Sequence, residues 1–172
     1  MTHRLSVIIP TYQHAETVGS CLDSVLAQTR KPDEIIVVDD GSTDKTQAAL
    51  EPYLLRGVRV ITTENRGSNP ARNTGFATST GDLVIFCDAD VVMRPDMLSS
   101  LEAALAARPE ASFAYGGFRF GWKSFSSFPY SPDRLRRMNY IHTTSLIRRE
   151  HFPGFDESVK RLQDWDLWLA MV

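Results

Sequence analysis

Four short apolar runs constrain this chain most: "LSVIIP" at Leu5–Pro10, "EIIVVDD" at Glu34–Asp40, "VRVIT" at Val58–Thr62 and "DLVIFCD" at Asp82–Asp88. A strand with one face in water alternates apolar and polar residues. Runs that are apolar almost throughout need cover on both faces, as in a parallel sheet between helices. Helical-period segments separate them. Val18, Leu22, Val25 and Leu26 form one stripe, and Ala48, Leu50, Leu54 and Leu55 a second. "NPARNTGFATSTG" reads as a short third helix with Gly81 at its end, and "RPDMLSSLEAALAARP" as a fourth, opened by Pro95 and closed before Pro109. The alternation predicts a doubly wound, mostly parallel α/β sheet with helices on both faces.

The length of 172 residues suits one domain with a real core. A formal net charge of −2 offers no basic field for nucleic acid. The two cysteines, Cys21 and Cys87, form no CxxC and no His–Cys cluster, which disfavours a zinc site or a disulfide framework and fits a reducing, cytoplasmic compartment. "MTHRLSVIIPTY" enters its first strand too early for a signal peptide, and no apolar stretch is long enough to span a membrane. Peripheral attachment at the inner membrane face stays compatible with both.

After Pro109 the alternation weakens. "ASFAYGGFRFGW" (Ala111–Trp122) reads as a strand with alternating aromatics, "KSFSSFPYSPDRLRR" (Lys123–Arg137) as a loop, and "YIHTTSLIRRE" as a strand followed by a short helical turn. "QDWDLWLAMV" is a helical pattern reaching Val172 without a stop signal, so the natural chain is expected to continue. The organisation expected is a single domain over 1–172, with a nucleotide-binding part at about 1–108 and an acceptor-side part at about 109–172.

In open α/β sheets the ligand crevice lies beyond the carboxyl ends of the strands. Three such ends converge here: Pro10, Thr11 and Tyr12 after the first run, Asp39 and Asp40 after the second, Asp88 and Asp90 after the fourth. "DDGSTD" is also a good turn and helix cap, which explains its Gly and Ser but not two carboxylates at a strand end. With 13 Asp in the chain, about one D-x-D is expected by chance, and there are two: Asp88/Asp90 and Asp164/Asp166. Position gives the first pair its meaning. Two crowded carboxylates repel unless a cation or protons lie between them. Oxygen ligands in a partly hydrated site suit Mg²⁺ or Mn²⁺ bound jointly with substrate phosphates. Arg66 and Arg72, in "ENRGSNPARNTG", are candidates for a diphosphate or for ordering an acidic loop. His142 is either a cleft residue or a hydrogen-bonded strand histidine. The cluster of Arg134, Arg136 and Arg137 is either a solvated face or a contact for an acidic acceptor or lipid headgroups.

Five linked blocks, "SVIIPTYQHAETVGSCLDSVLAQT", "EIIVVDDGSTDKT", "ENRGSNPARNTG", "GDLVIFCDAD" and "GFDE…QDWDLWL", resemble the family 2 glycosyltransferases of GT-A fold, in order and over nearly the whole chain. The resemblance implies inverting transfer of a sugar from a nucleotide-diphosphate donor to an acceptor hydroxyl on a carbohydrate or lipid-linked molecule. It assigns Pro10, Thr11, Tyr12 and Asp40 to the nucleotide, Arg72 to the shape of its pocket, and Asp88 and Asp90 to nucleotide and metal, with Asp90 the direct ligand. Where the family carries an acidic pair before its late helix, this chain reads Gln163-Asp164, which keeps the expected base, Asp164, and loses the acid before it. Asp166 and Asp156 are expected to be structural. The rival expectation is a nucleotide-sugar-binding core without full transferase activity, because its acceptor region is incomplete. A nucleotidyltransferase would need a Gly-rich basic loop after the first strand, which "PTYQHAETVG" does not supply.

Overall fold

The computed structural model describes residues 3–172. Its chain alternates strand and helix through the first half: β1 (Leu5–Thr11), α1 (Val18–Leu26), β2 (Glu34–Asp39), α2 (Thr46–Leu54), β3 (Val58–Thr62), α3 (Ser68–Thr78), β4 (Leu83–Phe86) and α4 (Met97–Ala106). The second half holds β5 (Phe113–Ala114), β6 (Phe118–Phe120), β7 (Lys123–Phe125), α5 (Pro132–Arg137), β8 (Leu146–Arg148), a 3₁₀ turn (Arg149–His151) and α6 (Gln163–Ala170). The main sheet runs β3-β2-β1-β4-β8-β5. Its first four strands are parallel, β8 lies antiparallel to β4, and β5 antiparallel to β8. This is the expected mostly parallel sheet, and the strand order reverses between β1 and β4, the point beyond whose carboxyl ends such sheets bind their ligands.

Every residue of β1 is buried. Leu5, Val7 and Ile9 pack with α1, α2 and α4 on one face, while Ile8 faces the opposite core with Val84, Phe86, Leu135 and Trp168. α1 meets the sheet through Val18, Leu22 and Val25 of its expected stripe, with Cys21 added and Leu26 only half-buried, and α4 through Leu98, Leu101 and Leu105. α3 lies on β1 and β2. It can approach so closely because position 75 is glycine: a Cβ there would run into the Ile8 and Val38 side chains.

Five local expectations are corrected. The stripe expected in α2 over Ala48, Leu50, Leu54 and Leu55 is not the one that packs: Thr46, Leu50 and Tyr53 share the buried face at i, i+4, i+7 spacing, while Ala48, Leu54 and Leu55 are exposed. β4 ends at Phe86, so Asp88 and Asp90 stand on the turn beyond it, closed by the Val91 amide donating to the Asp88 carbonyl (2.9 Å). α3 stops at Thr78, where the Ser79 hydroxyl donates back to Phe76 (2.8 Å), so Gly81 lies beyond the helix against β1. The single strand expected over Ala111–Trp122 is two: β5 closes the sheet edge on β8, and after Gly116 and Gly117 the chain forms the separate β6–β7 hairpin, which packs so closely at position 117 that a Cβ there would meet the Phe125 carbonyl oxygen. The segment expected as a loop, Lys123–Arg137, contains β7 and α5. Ser131 caps α5 by accepting from the Arg134 amide (3.2 Å), with Pro132 in its first turn. Among the described residues no helix is long and apolar enough to cross a membrane.

Candidate functional site

The rim above β1, β2 and β4 is built by side chains that tie its loops together. Thr11 ends β1, buried, and its carbonyl accepts the Asp40 amide (2.9 Å). Tyr12 follows, 46% exposed. Gln13 takes a left-handed backbone (φ 59°), which turns its side chain onto the loop after β2. There its Oε1 accepts the amides of Thr43 (3.0 Å) and Asp44 (2.9 Å). Gln13 thus joins the two loops that flank Tyr12, a role its sequence neighbourhood did not signal.

Asp39 and Asp40 divide their work. Asp39 is buried and accepts from the Ser42 amide (3.0 Å) and the Gln47 side chain (3.2 Å), which orders its own loop. Asp40, also buried, reaches across to the β3–α3 loop, where it accepts the Arg66 amide (3.0 Å) and the Gly67 amide (2.7 Å). Gly41 between these loops has φ 75°, and a Cβ there would sit 3.0 Å from the Asn65 nitrogen, so both conformation and space require glycine. The Arg66 side chain pairs at the surface with Glu157 (3.0 Å).

Arg72 is the hub. α3 presents it almost fully buried beneath the rim, stacked over the Phe155 ring. Its guanidinium donates to Asp88 (2.7 Å), to Gln163 (3.0 Å) and to Asn69 (3.1 Å). One side chain therefore links the turn after β4 to the first residue of α6. It also resolves the crowding of like charges. Asp88 has its counter-charge inside the protein, while Asp90 is exposed and no side-chain hydrogen bond or ion pair among the described residues engages it. Neighbouring residues of α3 hold the other wall. Asn69 donates to the Asp156 carbonyl (2.7 Å), and Asn73 exchanges hydrogen bonds with the Phe155 backbone. Asn69, Arg72 and Asn73 share one helix face at i, i+3, i+4 spacing; that polar face turned inward was the available signal for the two asparagines.

Gln163 accepts from Arg72 and from the Ser68 hydroxyl (2.7 Å). Asp164, next along, accepts the Asn139 amide group (2.9 Å) on one oxygen and the Trp165 backbone amide (2.9 Å) on the other. Asn139 had no local signature. α6 enters through Leu162 in the left-handed region (φ 55°), an uncommon setting for leucine. Gln13 and Leu162 are the non-glycine residues of positive φ among those described, and both border this rim. Two indole N–H groups anchor α6 to the segment before β8: Trp165 to the Leu135 carbonyl (2.6 Å) and Trp168 to Ile141 (2.9 Å). His142 accepts the Thr144 amide (3.1 Å) and lies against the Phe118 ring, so it is hydrogen-bonded as one alternative had it, but on the segment before β8 and not in a strand. Asp156 closes a local turn on Ser158, whose hydroxyl and amide hold its carboxyl below the usual range.

No group of three or more His, Cys, Asp or Glu among the described residues could hold a metal alone. The rim therefore offers one free carboxylate and one arginine-paired carboxylate, a donor set that fits Mg²⁺ or Mn²⁺ only where phosphate oxygens complete the shell.

The sequence profile of glycosyl transferase family 2 matches residues 6–160, which covers the rim and stops short of α6. The glycosyltransferase YibD of Escherichia coli K12 is 38% identical over 86% of this chain and 44% of its own length. The mannosyltransferase PcManGT of Pyrobaculum calidifontis, solved with GDP-Man and Mn²⁺, superposes with a TM-score of 0.73 at 25% identity, over 92% of this chain and 49% of that one. TarS of S. aureus (residues 1–349), solved with UDP-GlcNAc, shares the fold at TM-score 0.73 and 24% identity, over 94% of this chain and 51% of that one. The chain thus spans about half the length of these relatives. With a profile match over most of its residues and the parallel sheet in the same arrangement, the chain belongs to glycosyl transferase family 2.

Proposed function

We propose that this protein is an inverting glycosyltransferase that takes a sugar from a nucleotide-diphosphate donor and passes it to a hydroxyl of a carbohydrate or lipid-linked acceptor. The observation that carries the reading is the Arg72 bridge, which ties the Asp88 turn to the helix that presents Asp164. Relatives of the same fold were solved with UDP-GlcNAc and with GDP-Man and Mn²⁺, which supports a nucleotide-sugar donor.

In this reading Pro10, Thr11 and Tyr12 form the floor and side of the nucleotide pocket. Asp40 shapes the opposite wall by holding the Arg66–Gly67 backbone. Arg72 and Asp88 fix the turn that faces the diphosphate, and Asp90 would hold Mn²⁺ or Mg²⁺ together with the phosphates. Such a cation, when bound, stabilises negative charge on the departing diphosphate. Asp164 takes the proton from the acceptor hydroxyl as its oxygen forms the new bond to the anomeric carbon. The bond to the diphosphate oxygen breaks on the opposite face, which inverts the centre. Asn139 keeps one Asp164 oxygen oriented. Gln163 gives Arg72 a neutral acceptor, so the arginine's charge is directed at Asp88 alone.

Release of nucleoside diphosphate from UDP-GlcNAc or GDP-mannose with Mn²⁺, water standing in for the acceptor, tests the proposal. Asp164→Asn is expected to bind donor as wild type does and to lose about 10²- to 10⁴-fold in turnover, the usual share of a general base. A variant as active as wild type would remove Asp164 from the chemistry. Wild type that binds donor and never turns it over would instead favour a binding core.

A further inference from the structure

The segment 115–138 projects the least covered aromatic surface of the chain, and the rim does not use it. Every residue of the β6–β7 hairpin is exposed. Trp122, at its turn, is 86% exposed and Phe120 is 77% exposed; Phe125, Phe128 and Tyr130 are each more than two-fifths exposed. Exposed aromatic clusters of this kind mark interaction surfaces. The charge around them is one-sided. Arg119, Lys123, Arg134, Arg136 and Arg137 supply five cations against one acid, Asp133, a net +4 within a chain whose formal charge is −2. That acid is already paired with Arg136 (3.3 Å).

We propose that this face docks on an anionic phospholipid bilayer. Tryptophan and tyrosine rings settle at the headgroup level, where one end is apolar and the other wet. Arginine and lysine heads meet lipid phosphates while their stems lie along apolar surface. Charge complementarity selects this occupant: a second copy of the same face would set +4 against +4. The place of the face in the fold gives docking a use. α5, which carries Arg134, Arg136 and Arg137, holds α6 through the Leu135 carbonyl and the Trp165 indole, and Asn139, just beyond α5, holds Asp164. A bilayer on this face would lie beside the wall that presents Asp164, which suits an acceptor carried on a lipid; that last link rests on the proposed function, whereas the docking does not.

The 172-residue chain is sedimented with vesicles of phosphatidylcholine alone and of phosphatidylcholine with phosphatidylglycerol in equal parts, without donor or acceptor, so that failure here is separate from failure of the catalytic reading. Binding is expected to the anionic vesicles, weakened by salt and at least about tenfold weaker in Arg134→Gln/Arg136→Gln/Arg137→Gln and in Trp122→Ser. These residues are on the surface, so unchanged melting temperatures confirm that the variants fold. The other two tryptophans lie partly or fully buried, so a blue shift of emission on vesicle addition reports Trp122 and should vanish in Trp122→Phe while binding persists. The proposal is overturned by no vesicle binding, by equal binding to neutral vesicles, or by self-association of the chain that Trp122→Ser abolishes.

Discussion

The chain up to α4 and the chain after it are stabilised in different ways. The first is a ladder of parallel strands with helices pressed onto both faces, and its geometry follows from repeated rules: apolar runs, i, i+3, i+4 stripes and short connections. The second has strands of two or three residues, a hairpin outside the sheet and two short helices. Its elements pack on a second apolar core, in which Leu135, Ile141, Leu167 and Trp168 are buried, and single polar contacts add to it, Trp165 on Leu135, Asn139 on Asp164 and Arg72 on Gln163. The carboxylates on the two sides of the rim are therefore held by different partners. Asp88 and Asp90 stand on the turn after β4, Asp88 paired with Arg72, while Asp164 opens a helix packed on the second core and is oriented by Asn139.

Breaking the first half at its tightest contact should have the largest effect on stability. Gly75→Val forces a branched side chain into Ile8 and Val38, and a loss of about 3 kcal/mol or more is expected in chemical unfolding. A variant as stable as wild type would show that α3 can lift from β1 at little cost. The matching change in the second half is Asn139→Ala. It should barely move the unfolding midpoint yet cost about 10- to 100-fold in turnover, or about 1.4–2.7 kcal/mol of transition-state stabilisation. Donor affinity should stay unchanged, because Asn139 touches Asp164 and not the nucleotide side. A loss confined to donor binding would contradict the division between the halves.

A smaller effect sharpens the contrast through pH. Burial works to raise the Glu34 carboxyl, but hydrogen bonds from Ser6, Thr80 and Gly81 outweigh it and hold the group below its usual range. With the folded value below the unfolded one, the ionised form favours the folded state. That contribution is present above the unfolded value and fades as pH falls through the folded one. Glu34→Gln should therefore cost about 1–2 kcal/mol near neutrality, and the gap should close in acid. A gap independent of pH would mean that shape rather than charge sets the contact. The smallest change expected is Leu162→Gly, which relieves a left-handed leucine worth about 1 kcal/mol but adds chain entropy to the unfolded state. Stability should shift by less than about 1 kcal/mol, with turnover reduced if the fixed entry to α6 matters to Asp164.

The same contrast explains what could be read from sequence. The parallel sheet, its four helices and the convergence of Tyr12, Asp40, Asp88 and Asp90 on one rim were legible, because burial on both faces and strand-end placement leave periodic marks. Arg72 was legible from its helix beside the crevice. Its partner Gln163 was visible only as a departure from an acidic pair; that the amide accepts from Arg72 is a fact of packing across 91 residues. Asn139 left no mark, since the residue it positions lies 25 positions away. The β6–β7 hairpin was hidden because its aromatics alternate like a buried strand. The Gly116–Gly117 break and the Ser-Pro-Asp start of α5 were the cues that the chain leaves the sheet and then turns helical.

Calorimetric titration of UDP and GDP into the wild-type protein and Asp90→Ala, each with and without Mn²⁺, tests the central claim most directly. The account predicts nucleotide binding that needs Mn²⁺ in the wild type and loses that dependence with Asp90→Ala. It also predicts no measurable binding of Mn²⁺ to the protein alone, because the rim supplies too few ligands without the diphosphate. Equal nucleotide affinity with and without metal in both proteins would contradict it.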